Sequence, residues 1–195
     1  MINYKKQVEL TSSLIDNKIK KTLLLHTCCA LCFSSAFLQC KDAFNITVFF
    51  YNPNIYPSNE YEKRKQETLR LIQIFEKEYN VSIDFVEQVE DFDSYSNKKI
   101  HDNKCFDCIY NRLLVSYNYA NSHNFDYVST TLTVGRLKNS TMINQIGEML
   151  EKNYQTKYFY SNFKKNNGIQ LSLQMKEKYN IYAQNYCGCE PYYNK

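Results

Sequence analysis

Residues 20–32 read KKTLLLHTCCALC, and this stretch decides the fold class. The apolar run from Lys20 to Thr27 suits a buried β-strand, and thiols follow it at once at Cys28, Cys29 and Cys32. Phe33 to Lys41 then reads as a short helix. Ile46 to Tyr51, ITVFFY, is a second strand, stopped by Asn52-Pro53-Asn54 and Pro57. Ser58 can cap the next helix, whose stripe runs through Leu69, Ile72, Phe75 and Tyr79. Val81 to Val86 alternates as a third strand, and a polar segment from Glu87 to Lys104 follows. Cys105 to Asn121 reads as a helix, Phe125 to Thr131 as a strand, and Ser140 to Tyr154 as a helix. A strand at Lys157 to Tyr160 and a helix at Leu171 to Tyr179 precede the last cysteines.

Strands alternating with helices imply an α/β chain, a Rossmann-like and mostly parallel sheet with helices on both faces. No domain boundary interrupts residues 1–195, so one α/β domain is expected. Ligands of such sheets bind beyond the carboxyl ends of the strands. The segments Cys28–Cys32, Asn52–Ile55 and Thr130–Arg136 can therefore converge on one site.

The chain has 195 residues and eight cysteines. Seven of them form three groups: Cys28-Cys29-Ala30-Leu31-Cys32, Cys105-Phe106-Asp107-Cys108 and Cys187-Gly188-Cys189. Only Cys40 stands apart, as small apolar filling of a helix. Thiolates grouped in this way hold zinc or an iron–sulfur cluster, or stage a reversible disulfide. Met1 to Lys20 is polar and lysine-dotted and shows no secretory signal. No stretch approaches the ~18 apolar residues that a membrane span needs. A cytoplasmic protein that does not engage a membrane is expected, and a disulfide scaffold is disfavoured.

Adjacent Cys28 and Cys29 cannot easily bond to each other, but both can ligate one metal group. Cys105 and Cys108, at i and i+3 near a helix start, share a face, and the helix dipole there favours thiolate. Two pairs supply the four thiolates of a [4Fe–4S] cluster or a zinc site. Cys187 and Cys189 suit a strained disulfide or two ligands of one metal, with Gly188 allowing the tight turn. Cys32 is a further possible ligand. A thioredoxin-like reading of Cys29 to Cys32 leaves five clustered cysteines unexplained.

His26 can orient a ligand or be a satisfied core histidine, while His101 and His123 read as structural or solvent-facing. Asp107 is a candidate proton donor or a first-turn helix acid. The amides of Asn52 and Asn54 can meet a ligand at a strand end. Glu60 and Arg64 read as a surface ion pair at i and i+4. Ser129, Thr130, Thr131 and Thr133 form a hydroxyl row at another strand end. The net charge of +4 is mild; Lys98-Lys99, Lys104, Arg112, Arg136, Lys138 and Lys164-Lys165 interleave with aromatics, and from charge alone they read as a solvated lysine face before a nucleic-acid surface. The turn after the first strand has no glycines to cradle phosphate, which argues against ATP use.

From about residue 22 to 192 the chain resembles the cobalamin-independent epoxyqueuosine reductases, QueH. The resemblance lies in His26-Thr27-Cys28-Cys29-Ala30-Leu31-Cys32, Phe50-Tyr51-Asn52-Pro53-Asn54-Ile55-Tyr56-Pro57 and Glu60-Tyr61-Glu62-Lys63-Arg64. It continues through Cys105-Phe106-Asp107-Cys108, Arg112-Leu113, Ser129-Thr130-Thr131-Leu132 and Tyr182-Ala183-Gln184-Asn185-Tyr186-Cys187-Gly188-Cys189. It implies a fold of the adenine-nucleotide α-hydrolase type and a [4Fe–4S] cluster held by Cys28, Cys29, Cys105 and Cys108. Cys187 and Cys189 match a pair assigned either to a redox-active disulfide or to a second metal, a mononuclear iron. The substrate implied is epoxyqueuosine in the anticodon loop of tRNA, with an electron donor as a further partner. Asn52, Asn54, Arg64, Arg112, Thr130 and Thr131 are the expected substrate-binding residues, and Asp107, Cys187 and Cys189 the expected catalytic ones.

The chain departs from the family at Leu31, where proline is usual, and at Asn162-Phe163-Lys164, where Asp-Phe-Arg is common. After Cys189 it carries Glu190-Pro191 in place of a small apolar-serine ending. The rival expectations are an iron–sulfur tRNA sulfurtransferase and a zinc-stabilised RNA-binding module without catalysis.

Overall fold

Both central strands are buried on both faces, the mark of a parallel sheet covered by helices. Leu23, Leu24 and Leu25 of β1 (Lys21–His26) and Val48, Phe49 and Phe50 of β2 (Phe44–Phe50) are fully inaccessible to solvent. This computed structural model describes residues 2–90 and 104–189. The expected polar connection up to Lys104, with Lys98-Lys99 and His101, falls largely outside them, as do Glu190 and Pro191.

The described residues carry β3 (Asp84–Glu87), β4 (Tyr127–Thr130) and β5 (Lys157–Tyr158), and the sheet order is β3-β2-β1-β4-β5 with every pairing parallel. Chain direction of travel reverses between β1 and β4, so the crevice above that pair is the place for a ligand. The helices are α1 (Ile2–Asp16), α2 (Ala30–Cys40), α3 (Ser58–Tyr79), α4 (Lys104–Ser122), α5 (Ser140–Glu151) and α6 (Gly168–Tyr179), with a 3-10 turn at Thr131–Val134.

Two cores sit on opposite faces of the sheet. On one, Phe33 and Phe37 of α2 meet Phe75 of α3 at ring separations of 5.9 and 4.8 Å, joined by Leu23, Leu25 and Val48. On the other, Leu24 and Phe49 meet Ile109, Leu113 and Tyr117 of α4 and Ile143 and Ile146 of α5. Each fully buried aliphatic or aromatic side chain contributes about 1.5–3 kcal/mol. Cys40 lies within the first core, as small apolar filling.

Element ends moved where capping or pairing overrides periodicity. Helix α2 starts at Ala30 and not Phe33, because Cys29 is its extended N-cap and its sulfur accepts the backbone N–H of Cys32. Strand β3 begins only at Asp84, where pairing with β2 begins. Strand β5 is two residues long. Helix α6 reaches back to Gly168, where a Cβ would fall 1.7 Å from the Phe163 carbonyl oxygen. Helix α1 was not expected from its polar sequence. Its hold is thin: Leu14 enters the core, and Gln7 bonds Gln39 at 3.1 Å and accepts the Asn162 N–H at 2.8 Å.

Candidate sulfur and metal centre

The carboxyl ends of β1, β2 and β4 meet around His26. Its Nε2–H donates to the Tyr51 carbonyl at 3.1 Å, and the Thr130 hydroxyl donates to Nδ1 at 2.8 Å. The Thr130 oxygen in turn accepts the Leu132 N–H. Complete burial, with the nearby Arg112 cation, lowers the His26 pKa to about 4, so the ring is neutral. His26 is therefore the satisfied core histidine of the two readings, and it ties three loops together from below. Asn52 adds a fourth tie, donating Nδ2–H to the Thr27 carbonyl at 2.8 Å.

On this platform stands a trio of thiols. The Sγ atoms of Cys28, Cys29 and Cys32 all lie within 4.8 Å of one another. Cys29 is buried, and Cys28 and Cys32 are half-buried. Hydrogen bonds from the Cys29 and Cys32 thiols pull the Cys28 pKa well below its usual value, aided by the nearby Arg112. Its neighbours rise in response, Cys29 to about 12. One negative charge is thus shared by three sulfurs, the arrangement that a metal cation completes. The Thr131 hydroxyl lies 3.8 Å from the Cys28 sulfur, so Thr131 borders the trio directly.

The second group forms from distant parts of the chain. Cys108 on the first turns of α4 meets Cys189, which also bonds Cys187. The Lys138 ammonium donates to the Cys187 sulfur at 2.9 Å, and the Arg112 guanidinium donates to the Cys108 sulfur at 3.2 Å. The hydrogen bond from Cys189 brings the Cys187 thiol down to about 5 against the effect of burial, with Lys138 and Arg112 reinforcing it. Arg112 acts on His26, Cys28 and Cys187 alike, which puts a single guanidinium between the two groups. Cys105 is exposed on the same helix, and Asp107 beside it is buried.

The segment Ile181–Cys189 has no regular structure and is held by side chains from α3. Arg64 is buried, not on the surface as expected. Its Nε–H donates to Glu60 at 2.7 Å, and its remaining nitrogens donate to the carbonyls of Cys187 at 3.2 Å and Tyr186 at 3.3 Å. Tyr182 donates its hydroxyl to Glu60 and its backbone N–H to Glu67. The Tyr56 N–H donates to the Gly188 carbonyl at 2.7 Å. Gly188 has φ +116°, a conformation that favours glycine.

Of the expected site residues, the structure gathers Cys28, Cys29, Cys32, Cys108, Cys187, Cys189, Arg112 and Thr131 in this crevice, with Arg64 and Asn54 beside the tail and Thr130 behind the trio. It adds Lys138 and Gln184, whose Nε2–H donates to the Cys29 sulfur at 3.0 Å. Lys138 was legible only as one more surface lysine, and Gln184 only as part of the QNYCGC string. His123 stacks on Tyr119 in an exposed turn and takes no part. No helix among the described residues is long and apolar enough to cross a membrane.

A family profile described as "Epoxyqueuosine reductase QueH" matches residues 23–194. The chain is 33% identical over 196 residues to the epoxyqueuosine reductase QueH of Streptococcus pyogenes, covering 96% of this chain and 77% of that protein. The QueH of Thermotoga maritima is 32% identical over 172 residues, 86% of this chain and 88% of its own. Among solved structures, the U34-tRNA thiolase NcsA from Methanococcus maripaludis with its [4Fe-4S] cluster superposes with a TM-score of 0.53 at 12% identity. That match covers 93% of this chain and 64% of the thiolase, so this chain spans just under two thirds of that structure's length, and the likeness is one of fold.

Proposed function

This chain belongs to the QueH family of epoxyqueuosine reductases and converts epoxyqueuosine to queuosine, and on that premise we propose how its sulfur centre does so on tRNA. The reaction removes one oxygen: an epoxide takes up two electrons and two protons, both C–O bonds to the oxygen break, a C=C bond forms, and water leaves. The observation that carries the reading is the convergence of two thiol groups on the one buried Arg112.

The residues fit a thiolate-held iron–sulfur group. The donors are soft, three sulfurs lie within one compass of 4.8 Å, and a guanidinium offsets their charge. The proposed ligands of a [4Fe–4S] cluster are Cys28, Cys29, Cys105 and Cys108, with Cys32 in reach of the first two. Such a cluster supplies low-potential electrons one at a time. Lys138 and Arg112 help hold Cys187 as an anion, and Arg112 also donates to the Cys108 sulfur. Cys187 and Cys189 are the pair to cycle between dithiol and disulfide, a change that from the Cys187 thiolate and the Cys189 thiol yields two electrons and one proton, or to bind a mononuclear iron. Asp107, buried between Cys105 and Cys108, is the candidate acid for the departing oxygen. Asn52, Asn54, Thr131 and the arginines border the space left for the modified base, with His26 and Thr130 holding that border from behind. The expected partners are the anticodon loop of tRNA and an electron donor, and a thiolate site of this kind belongs in the reducing cytoplasm.

The test is anaerobic: protein reconstituted with iron and sulfide, a chemical reductant, and tRNA carrying epoxyqueuosine, with the nucleosides resolved by mass spectrometry. Loss of one oxygen in wild type and none in Cys29→Ala is the expected result. A colourless protein holding stoichiometric zinc, with no conversion, would overturn the reading.

A further inference from the structure

The sulfur of Cys29 differs from its neighbours in what donates to it. It accepts the Cys32 backbone N–H at 3.4 Å as a helix cap, and the Gln184 side-chain N–H at 3.0 Å. The Gln184 oxygen is buried with no hydrogen-bond partner among the described residues. A buried amide oxygen left unpaired is costly, and here it leaves the amide facing the Cys29 sulfur with its donor. Cys29 is 1% exposed, so water does not compete for this bond. Gln184 has no helix or strand to fix it. Its place comes from the Arg64 grip on the Tyr186 and Cys187 carbonyls and from the two bonds of Tyr182 to Glu60 and Glu67.

We infer that Gln184 is a positioning residue that sets the reduction potential of the group held by Cys29, through its N–H···S hydrogen bond. An N–H directed at a ligand sulfur stabilises the more negative, reduced state more than the oxidised one, and so raises the potential. The bond spans 155 residues of sequence. The potential is therefore tuned by the same tail that presents Cys187 and Cys189, and electron delivery is matched to a seated tail. This inference rests on the proposal that Cys29 ligates a redox-active iron–sulfur group.

The experiment is a redox titration followed by electron paramagnetic resonance, on the full chain reconstituted anaerobically, for wild type, Gln184→Leu, Gln184→Glu and Gln184→Asn. The midpoint potential is expected to fall in Gln184→Leu, which loses the donor. It falls further in Gln184→Glu, which puts an anion at the sulfur. Gln184→Asn keeps the amide on an arm too short to reach, and is expected to match Gln184→Leu. In wild type an exchangeable proton coupled to the paramagnetic centre is expected to vanish in D2O, and to be absent from Gln184→Leu. Equal potentials across iron-loaded wild type, Gln184→Leu and Gln184→Asn would overturn the inference and leave the reductase reading standing. A raised KM for the tRNA with unmoved potentials would also overturn it, by making Gln184 a substrate contact. Protein that binds no iron would remove the reading beneath it, and the inference with it.

Discussion

The two thiol groups of this protein are built in opposite ways. Cys28, Cys29 and Cys32 stand at a strand end and a helix start, positioned by local backbone and by a cap that the cysteine itself supplies. Cys108, Cys187 and Cys189 come from a helix and an irregular tail, and long side chains hold them together: Arg64, Arg112 and Lys138. The first group resists change because its geometry is the fold. The second depends on buried charges, which are costly to bury and costlier to break. The contrast suits a rigid electron store beside a thiol pair that must change state.

The sharpest way to break the comparison is with the cysteines themselves. Cys29→Ala is expected to lose its bound iron and all turnover, while Cys187→Ala keeps the iron of the first group and loses turnover only. Iron and sulfide analysis beside the nucleoside assay checks both, and iron loss in Cys187→Ala would make Cys187 a ligand of the same metal site. Cys28→Ala is expected to cost more iron than Cys32→Ala, since Cys28 is a proposed ligand of the cluster and Cys32 lies within reach of it.

Arg64→Met tests the second group alone. It leaves Glu60 buried without its cation, which costs about 3–5 kcal/mol in urea unfolding. The cut pattern is the discriminating part: limited proteolysis is expected to open the chain near the tail while β1 and α2 stay protected.

His26 tests the frame under the first group. Its pKa is near 6.5 when unfolded and about 4 when folded. A depressed histidine contributes stability that is fully present above 6.5 and is lost as pH falls toward 4. The amount is about 3 kcal/mol. In metal-free protein, His26→Gln should remove that part of the slope of unfolding free energy against pH, and an unchanged slope would deny the ring its buried neutral state.

The smallest effect belongs to Gly188→Ala. The left-handed φ and a Cβ lying 3.0 Å from Ile55 Cγ1 cost about 1–2 kcal/mol. Faster alkylation of Cys187 and Cys189 should accompany it, with the rate at Cys28 unchanged.

Most of the fold was legible because its strands are apolar runs bounded by turn residues, and periodicity reads these well. Helix α1 was not, since its attachment rests on Leu14, Leu10 and Gln7 while Val8 and Ile15 face solvent and blur its apolar stripe. The cysteine groups were legible as spacing, but the joining of Cys108 to the tail was not, because only tertiary contacts decide it. Arg64 and Glu60 carry the ordinary mark of a surface ion pair. What buries them is a tail more than a hundred residues further on, whose Tyr182 closes over Glu60. Lys138 and Gln184 escaped for the same reason, as each meets a sulfur far away in sequence.

The grip on the tail has one more consequence. Arg64 takes hold of the Tyr186 and Cys187 carbonyls, and Tyr56 of the Gly188 carbonyl. None of these three bonds reads a side chain; each reads a position along the backbone. The device behaves as a ruler: indifferent to spelling, strict about length. A substitution at Asn185 leaves the measure intact. A single residue inserted after Tyr182 would slide a wrong letter under each mark and carry both thiols out of phase with Lys138 and Cys108.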